Sequence, residues 1–454
     1  MILPYPLIRC LNVAVEATSP PVAGQQRPTH TAGLLVRRVF KRLLRGSVKK
    51  QLGVLLVLNL VIRSVWVAVL HPSPQSDFGF YFAAAARMAA GGGYTMNGQP
   101  TAYWPIGWPG VLSVFFRVFG AHLWVGLVLQ ILLCTGIALL VFLIAHHISG
   151  SAMAGMIGGL AWTFLPDQLA WTSILGSEPL FTLLTLCGLY ALLFFDGWRR
   201  PVIAGALLGA ACWVRPTLLF LPVVVVVVLI IQRRRVVAPL AEGALLMLMM
   251  LALIAPLTVR NYVVLGSPVL VSTNGGIPLW QGVHVDDRYW WPSDATVNPL
   301  AAISDEVARD QLGQRLFLEH LVAHPTSVAW HGLRKIRALY SSPSAVWWWL
   351  TAGQPLELGT LVGGVSAIAY WLFMAVALIG LAIGWQRWRW PTMLLGGFLA
   401  YYTALFAFFP ANDRYRYPMM PVFAIFVGIA LFSITRALQA RWARQRTDPI
   451  RVAD

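Results

Sequence analysis

Charge is what this sequence has least of. Of 454 residues, 17 are Asp or Glu and 34 are Lys or Arg, so charged side chains make up 11% of the chain, against roughly 25% in an ordinary soluble domain. A water-facing exterior must be built from polar groups. With 58% hydrophobic residues and a mean hydropathy of +0.68, this chain has too few of them. A soluble enzyme and a disordered chain are excluded together. Cysteine is scarce as well. Cys10, Cys134, Cys187 and Cys212 show no CxxC spacing, and the last three sit inside apolar runs. They read as small core residues, not as a metal site or a disulfide framework. No internal repeat is present, and the first 36 residues lack the basic, apolar and small-residue regions of a secretory signal.

What is abundant is long apolar runs. A bilayer core takes about 20 apolar residues per helix, fewer where the flanks adapt. Candidate spans are 51–70, 122–147, 152–167, 178–196, 201–215, 216–232, 236–258, 360–385, 391–410 and 417–437. The net charge of +17 would suggest nucleic acid in a soluble protein. Here the basic residues cluster between apolar runs, at 37–50, 199–200, 233–235, 387–389 and in the tail. Such clusters mark cytoplasmic loops and lipid headgroups, so no nucleic-acid partner is expected.

The run at 105–120 opens with WPIGWPG and carries Arg117. If it crossed, every later basic cluster would face outward. Laid at the outer interface, it leaves them all inside. The expected architecture is therefore an all-α polytopic membrane protein of about ten transmembrane helices with extracytoplasmic interfacial helices. Residues 1–50 form a flexible basic cytoplasmic leader, and 51–258 a transmembrane core with a first extracytoplasmic loop at 71–121. A small extracytoplasmic module follows at 259–359, then further spans at 360–437 and a basic cytoplasmic tail at 438–454.

Ionisable residues near a membrane are costly, and those that persist are functional candidates. This topology gathers Asp77, Asp167, Glu178, Arg215, Arg260, Asp413, Arg414 and Arg416 at the outer ends of spans. Asp77 follows the first span, and either it or Ser76 would cap the next helix; the alternative is a general base. Glu178 precedes Pro179 and would sit favourably at a helix N-terminus, or act in a site. Asp167 reads as a solvated loop residue. Each Arg alone reads as an interfacial anchor, but four on one face point to an anionic ligand such as phosphate. Arg63, inside the first span, either faces the same cavity or snorkels outward. The Trp and Tyr residues of AYWPIGW, RYWW and VWWWL read first as an interfacial belt, with sugar stacking as the other use.

Five segments carry a family resemblance: SDFGFYFAAAARMAAGGGY after the first span, then YWPIGWPG, SEPLF, RNYVVLGSPVLVSTNGGIPLWQG, and RYRYPMMP before the last span. Over roughly residues 50–437 the chain resembles the GT-C class of integral membrane glycosyltransferases, in particular the protein O-mannosyltransferase and lipid A aminoarabinose transferase group. The resemblance implies that Asp77 is the catalytic acid of the first loop, that Glu178 assists, and that Arg414 or Arg416 holds the lipid phosphate; Arg260 and Arg215, cations on the same face, are expected to bind the donor phosphate with them. It implies a polyprenyl-phosphate sugar donor, a glycan, lipid or protein acceptor, and a multi-pass protein of a bacterial inner membrane working at the extracytoplasmic face. No metal ligands are assigned, and a divalent ion near Asp77 and Glu178 is left open. The chain departs from the mannosyltransferases at one point: they carry an Asp-Glu pair where Asp77 is followed by Phe78. A lipid-linked sugar flippase, or a ligase or polymerase of the O-antigen kind, stands as the alternative.

Overall fold

A computed structural model of the chain describes residues 47–284, 294–351 and 357–447. The leader up to residue 46 with Cys10, the RYWW aromatics at 288–291 and the tail from 448 lie outside the described residues. Ser47–Asp454 forms one compact unit.

Among the described residues a helix stands at each of the ten candidate spans. They are α1 (Val48–Val69), α4 (Leu123–Ser149), α5 (Ala152–Phe164), α7 (Glu178–Phe194), α8 (Arg199–Val214), α9 (Leu221–Arg233), α10 (Val237–Leu265), α15 (Glu357–Arg387), α16 (Arg389–Leu405) and α17 (Met420–Thr447). Between them lie α2 (Ser76–Ala89), a two-stranded hairpin (Thr95–Met96 with Gln99–Pro100), α3 (Gly107–Phe119) and the single turn α6 (Pro166–Ala170). The segment between α10 and α15 contributes α11 (Gly276–His284), α12 (Glu306–Ala323), α13 (Pro325–Leu339) and α14 (Ala345–Leu350). Six helical segments are long and apolar enough to cross a membrane by length and composition. The chain is an all-α polytopic membrane protein, as its composition requires.

Two boundaries shift. The seventh span runs on to Leu265, so Arg260 lies within its last turns and not beyond it. The helix α10 continues past the internal Pro256 and ends at Gly266, which takes the left-handed conformation (φ 66°) that ends helices. The sixth span loses its first turn to a 3₁₀ segment at Pro216–Leu218, because Pro216 forces Arg215 into extended backbone (φ −151°, ψ 121°).

The helices α4 and the last one form the centre: 67% and 78% of their apolar windows are buried, against 22% for α1. Peripheral helices turn apolar residues outward, such as Val57, Val61 and Val65 on α1 and Leu361, Val365 and Ile368 on α15. In lipid that costs nothing, so tight packing must come from elsewhere. Small residues supply it between α5 and α17. A Cβ on Gly158 would stand 2.8 Å from the Ala424 carbonyl oxygen, and one on Gly428 would run into the Ala154 carbonyl. Polar side chains tie α1 into the centre: the Asn59 amide donates to Thr163 Oγ1 (2.8 Å) and accepts from Thr135 (3.0 Å).

Gly428→Val should force these two helices apart and destabilise the protein by about 1–3 kcal/mol, the usual cost of overpacking. Thermal unfolding in detergent measures this, and an unchanged midpoint would show that the contact does not set the spacing.

Candidate functional site

One end of the bundle collects the ionisable residues. The loop before α7 is pinned from two sides: Trp108 of α3 donates to the Leu175 carbonyl (3.2 Å), and Gln130 of α4 donates to the carbonyls of Ile174 (3.1 Å) and Gly176 (2.6 Å). This fixes Glu178, the first residue of α7, with Pro179 completing the turn. Its side chain is 1% exposed, and its Oε1 accepts from Arg215 Nη2 at 2.6 Å and from Arg414 Nε at 2.5 Å. Two cations thus share one carboxylate oxygen. Its Oε2 is buried without a hydrogen-bond partner among the described residues.

Arg215 arrives because α8 ends at Val214, and the extended residue before Pro216 turns its side chain back across α7. Its Nε donates to Ser177 Oγ (3.0 Å) while Nη2 reaches Glu178. Arg414 arrives on the 3₁₀ segment Asp413–Met419, and its Nη2 donates to Asp77 Oδ2 at 2.6 Å. The guanidinium lies over the Phe78 ring (4.4 Å to its centre) and beside Trp171 (5.9 Å). Cation–aromatic contact of this kind is strong where water is excluded. Gln75 and Phe78, on either side of Asp77 in sequence, line a small cleft together with Pro72, Pro74, Ser173 and Trp349.

The capping reading of Ser76 and Asp77 does not hold. The N-cap of α2 is Gln75, and no side chain makes a capping hydrogen bond there. The Asp77 carboxylate goes to Arg414 instead, 337 residues away in sequence. One turn further along α2, Tyr81 is buried. Burial, and then the Asp77 carboxylate, push its phenol up, so it stays protonated at any physiological pH.

The other expected cations are placed elsewhere. A 3₁₀ helix advances about 120° per residue, so Arg414 and Arg416 cannot face the same way. Arg416, fully buried, lies over the Tyr370 ring (4.0 Å) and donates to the Leu339 carbonyl (3.0 Å) and to that of Ser341. Arg260 holds the hairpin of the first loop, donating to the carbonyls of Thr101 (2.6 Å) and Tyr94 (3.3 Å). Glu306 of α12 grips the same loop through Thr101 Oγ1 (2.6 Å) and the Ala102 amide (2.7 Å). Asp413 accepts from Ser344 (2.9 Å) and the Ala345 amide (3.0 Å), satisfying the N-terminus of α14.

Two readings need correction. Asp167 is not solvated: it is 2% exposed on α6, with its Oδ2 3.9 Å from Arg416 Nη2. The turn folds inward because Pro166 starts a new helix at once. Arg63 neither snorkels nor faces the cleft. It is fully buried, donating to the Gln168 carbonyl (2.9 Å) and to Thr172, with its guanidinium over Trp162 (5.4 Å). The sequence also gave no reason to single out Ser177, Tyr81 or Trp171, since their roles depend on the fold bringing Arg215, Asp77 and Arg414 to them. Among the described residues no group of three or more His, Cys, Asp or Glu is placed to hold a metal ion.

Residues 104–259 match the family model of dolichyl-phosphate-mannose-protein mannosyltransferases. The matched stretch contains Glu178 and Arg215 and stops short of Asp77 and Arg414 on either side. This bears out the resemblance to the GT-C class of integral membrane glycosyltransferases. Five chains of solved structures match, among them the crystal structure of ArnT from Cupriavidus metallidurans bound to undecaprenyl phosphate. It is 16% identical, covers 78% of this chain and 76% of its own, and superposes with a TM-score of 0.40. No curated protein matches.

Glu178→Gln would leave two buried guanidiniums with one carboxylate between them. Breaking a buried pair in this way costs about 3–5 kcal/mol, so the variant should unfold at a clearly lower temperature in detergent. Melting at the wild-type temperature would show that Arg215 and Arg414 do not depend on this charge.

Proposed function

We propose that the protein is a polyprenyl-phosphate-sugar-dependent glycosyltransferase that inverts the anomeric centre and acts at the extracytoplasmic face of a bacterial inner membrane. The observation that carries this reading is the Asp77–Arg414–Glu178–Arg215 cluster, with Phe78 beneath Arg414 lining a small neighbouring cleft. The family whose model matches 104–259 is described by a lipid-phosphate sugar donor, which supports the donor class.

The residues have complementary chemistry. Arg414 offers charge-assisted hydrogen bonds to the phosphate of a lipid-linked sugar, whose tail would lie along the apolar helix faces. Asp77 takes the proton of an acceptor hydroxyl as that oxygen attacks the anomeric carbon, while the C–O bond to the lipid phosphate breaks on the opposite side. The electron pair of that bond leaves with the phosphate, and Arg414 stabilises the charge that grows there. One displacement inverts the centre. Glu178, held by Arg215, keeps Arg414 in place. The acceptor, which is a glycan, lipid or protein, contributes only its hydroxyl to this scheme.

Sidedness is supported by where the basic clusters meet. Arg200 at the start of α8 and Arg233 at the end of α9 converge on Glu242, at 3.2 and 2.7 Å. Arg215 lies at the other end of α8, about 22 Å away at 1.5 Å per residue. The positive-inside rule puts the Glu242 end in the cytoplasm and the Asp77 end outside. On this map residues 71–121 are wholly extracytoplasmic. A cysteine introduced beside Gly120 should react with an impermeant maleimide added from the periplasmic side; reaction only from the cytoplasm would invert the map.

Asp77→Asn tests the chemistry. It preserves shape, removes the proton acceptor, and should lower transfer from labelled polyprenyl-phosphate sugar to membrane acceptors by about 10²–10⁴-fold. A variant that inserts normally and transfers at the wild-type rate would remove Asp77 from the mechanism.

A further inference from the structure

We infer that Asp77 and the donor phosphate compete for Arg414, so the site keeps its base masked until the lipid-linked donor arrives. The inference rests on the glycosyltransferase reading given above.

The charge count makes the first argument. Asp77, Glu178, Arg215 and Arg414 carry two negative and two positive charges, and their side chains are only 10%, 1%, 14% and 9% exposed. The cluster is neutral as it stands. A phosphate entering it adds at least one negative charge to a site with little water, where uncompensated charge is expensive. One resident carboxylate has to give up its cation.

Geometry selects which one. Glu178 is held by both guanidiniums through Oε1 and sits at the start of a buried helix. Asp77 is held by Arg414 alone among the ion pairs of this cluster, and its neighbours Gln75 and Phe78 line the small cleft. Asp77 has one ion pair to give up and Glu178 has two. The donor groups of Arg414 point the same way. Its Nε is taken by Glu178 and its Nη2 by Asp77. Both edges of a guanidinium that grip an anion with two parallel bonds include Nη2. Nη2 carries two N–H groups, so a phosphate that takes the second one stands beside the Asp77 carboxylate on the same cation, and the two anions repel.

The consequence is an order of events. Without donor, Asp77 Oδ2 accepts from Arg414 Nη2 and that guanidinium meets the carboxylate's charge. With donor, phosphate replaces Asp77 as the counter-ion of Arg414, and the freed carboxylate can receive the acceptor's proton. The base is exposed only when there is a sugar to transfer. Since coupling between two groups at one partner is reciprocal, removing the Asp77 charge must strengthen phosphate binding.

The test is the affinity of a sugar-free short-chain polyprenyl monophosphate, measured in detergent by calorimetry for wild type, Asp77→Asn, Arg414→Ala and the double variant. Asp77→Asn should bind about fivefold tighter or more, the lower range of ordinary coupling energies, although it is the variant that cannot turn over. Arg414→Ala should bind more weakly, and in that background Asp77→Asn should bring no gain. An Asp77→Asn protein that binds like wild type, or more weakly, would overturn the competition and leave Asp77 as a group that orients Arg414. A gain that persists without Arg414 would overturn it too, by showing a general charge effect. No binding by the wild type would instead sink the lipid-phosphate reading, and this inference with it. Should Asp77→Asn fail to fold, Asp77→Ser removes the same charge and is measured in its place.

Discussion

The Glu178 carboxylate, almost completely closed off from water at one end of the bundle, holds two guanidiniums through a single oxygen. Both cations reach it from chain segments that share no secondary structure with it. Arg215 ends α8, and Arg414 lies on the 3₁₀ segment before the last helix. An ion cluster with so little solvent survives only if every member is placed within hydrogen-bond reach, because desolvation otherwise exceeds the attraction. The surrounding architecture supplies that placement. Trp108 and Gln130 pin the loop before Glu178, Pro216 turns Arg215, and Asp413 fastens the segment that carries Arg414 to the start of α14. The module between α10 and α15 is held to the same end, by Glu306 on the first loop and by the Lys335 ammonium on the Ala407 carbonyl at 3.1 Å.

A second set of buried cations lies behind the first and serves packing. Arg63 and Arg416 both present guanidiniums to backbone carbonyls and to aromatic rings. Carbonyl oxygens at the ends of short helices need donors, and in this region water is scarce. Arg63 thereby braces the segment 168–172, which includes Trp171, one of the two aromatic neighbours of Arg414. The path from α1 to the site runs through one side chain and one short turn.

The helical frame was legible in the sequence because an apolar run of span length has few alternatives: each of the ten candidate spans has its helix. The ends were less legible. Arg260 looked like a loop residue because hydropathy falls after residue 258, yet helical geometry continues to Leu265. At the site, residue type and sidedness drew attention to Asp77, Glu178, Arg215 and Arg414, which the fold links through three ion pairs in the order Asp77, Arg414, Glu178, Arg215. They could not separate Arg414 from Arg416, two residues apart, since that depends on a 3₁₀ turn pointing them in different directions. Nor could they reveal that Asp167 is buried, because a short polar loop between two spans reads as solvated whether it folds outward or inward. The contacts of longest sequence separation, such as Arg414 with Asp77, leave no local pattern to read.

Phe78 shows how charge balance accounts for a departure from the family pattern. The mannosyltransferases that the chain resembles carry a second acid directly after the first. Here that position holds a phenyl ring lying 4.4 Å beneath the Arg414 guanidinium. With an acid at 78 the cluster would hold three carboxylates against two guanidiniums, and the excess would have to be met by a metal ion or a further cation. The ring stabilises the same guanidinium through its quadrupole without adding charge. It also packs edge-on against Trp349, 5.2 Å away, and so shapes the wall of the cleft. Neutrality without a third cation and an apolar floor under Arg414 are therefore consequences of a single residue choice. They set this site apart from one built around paired acids.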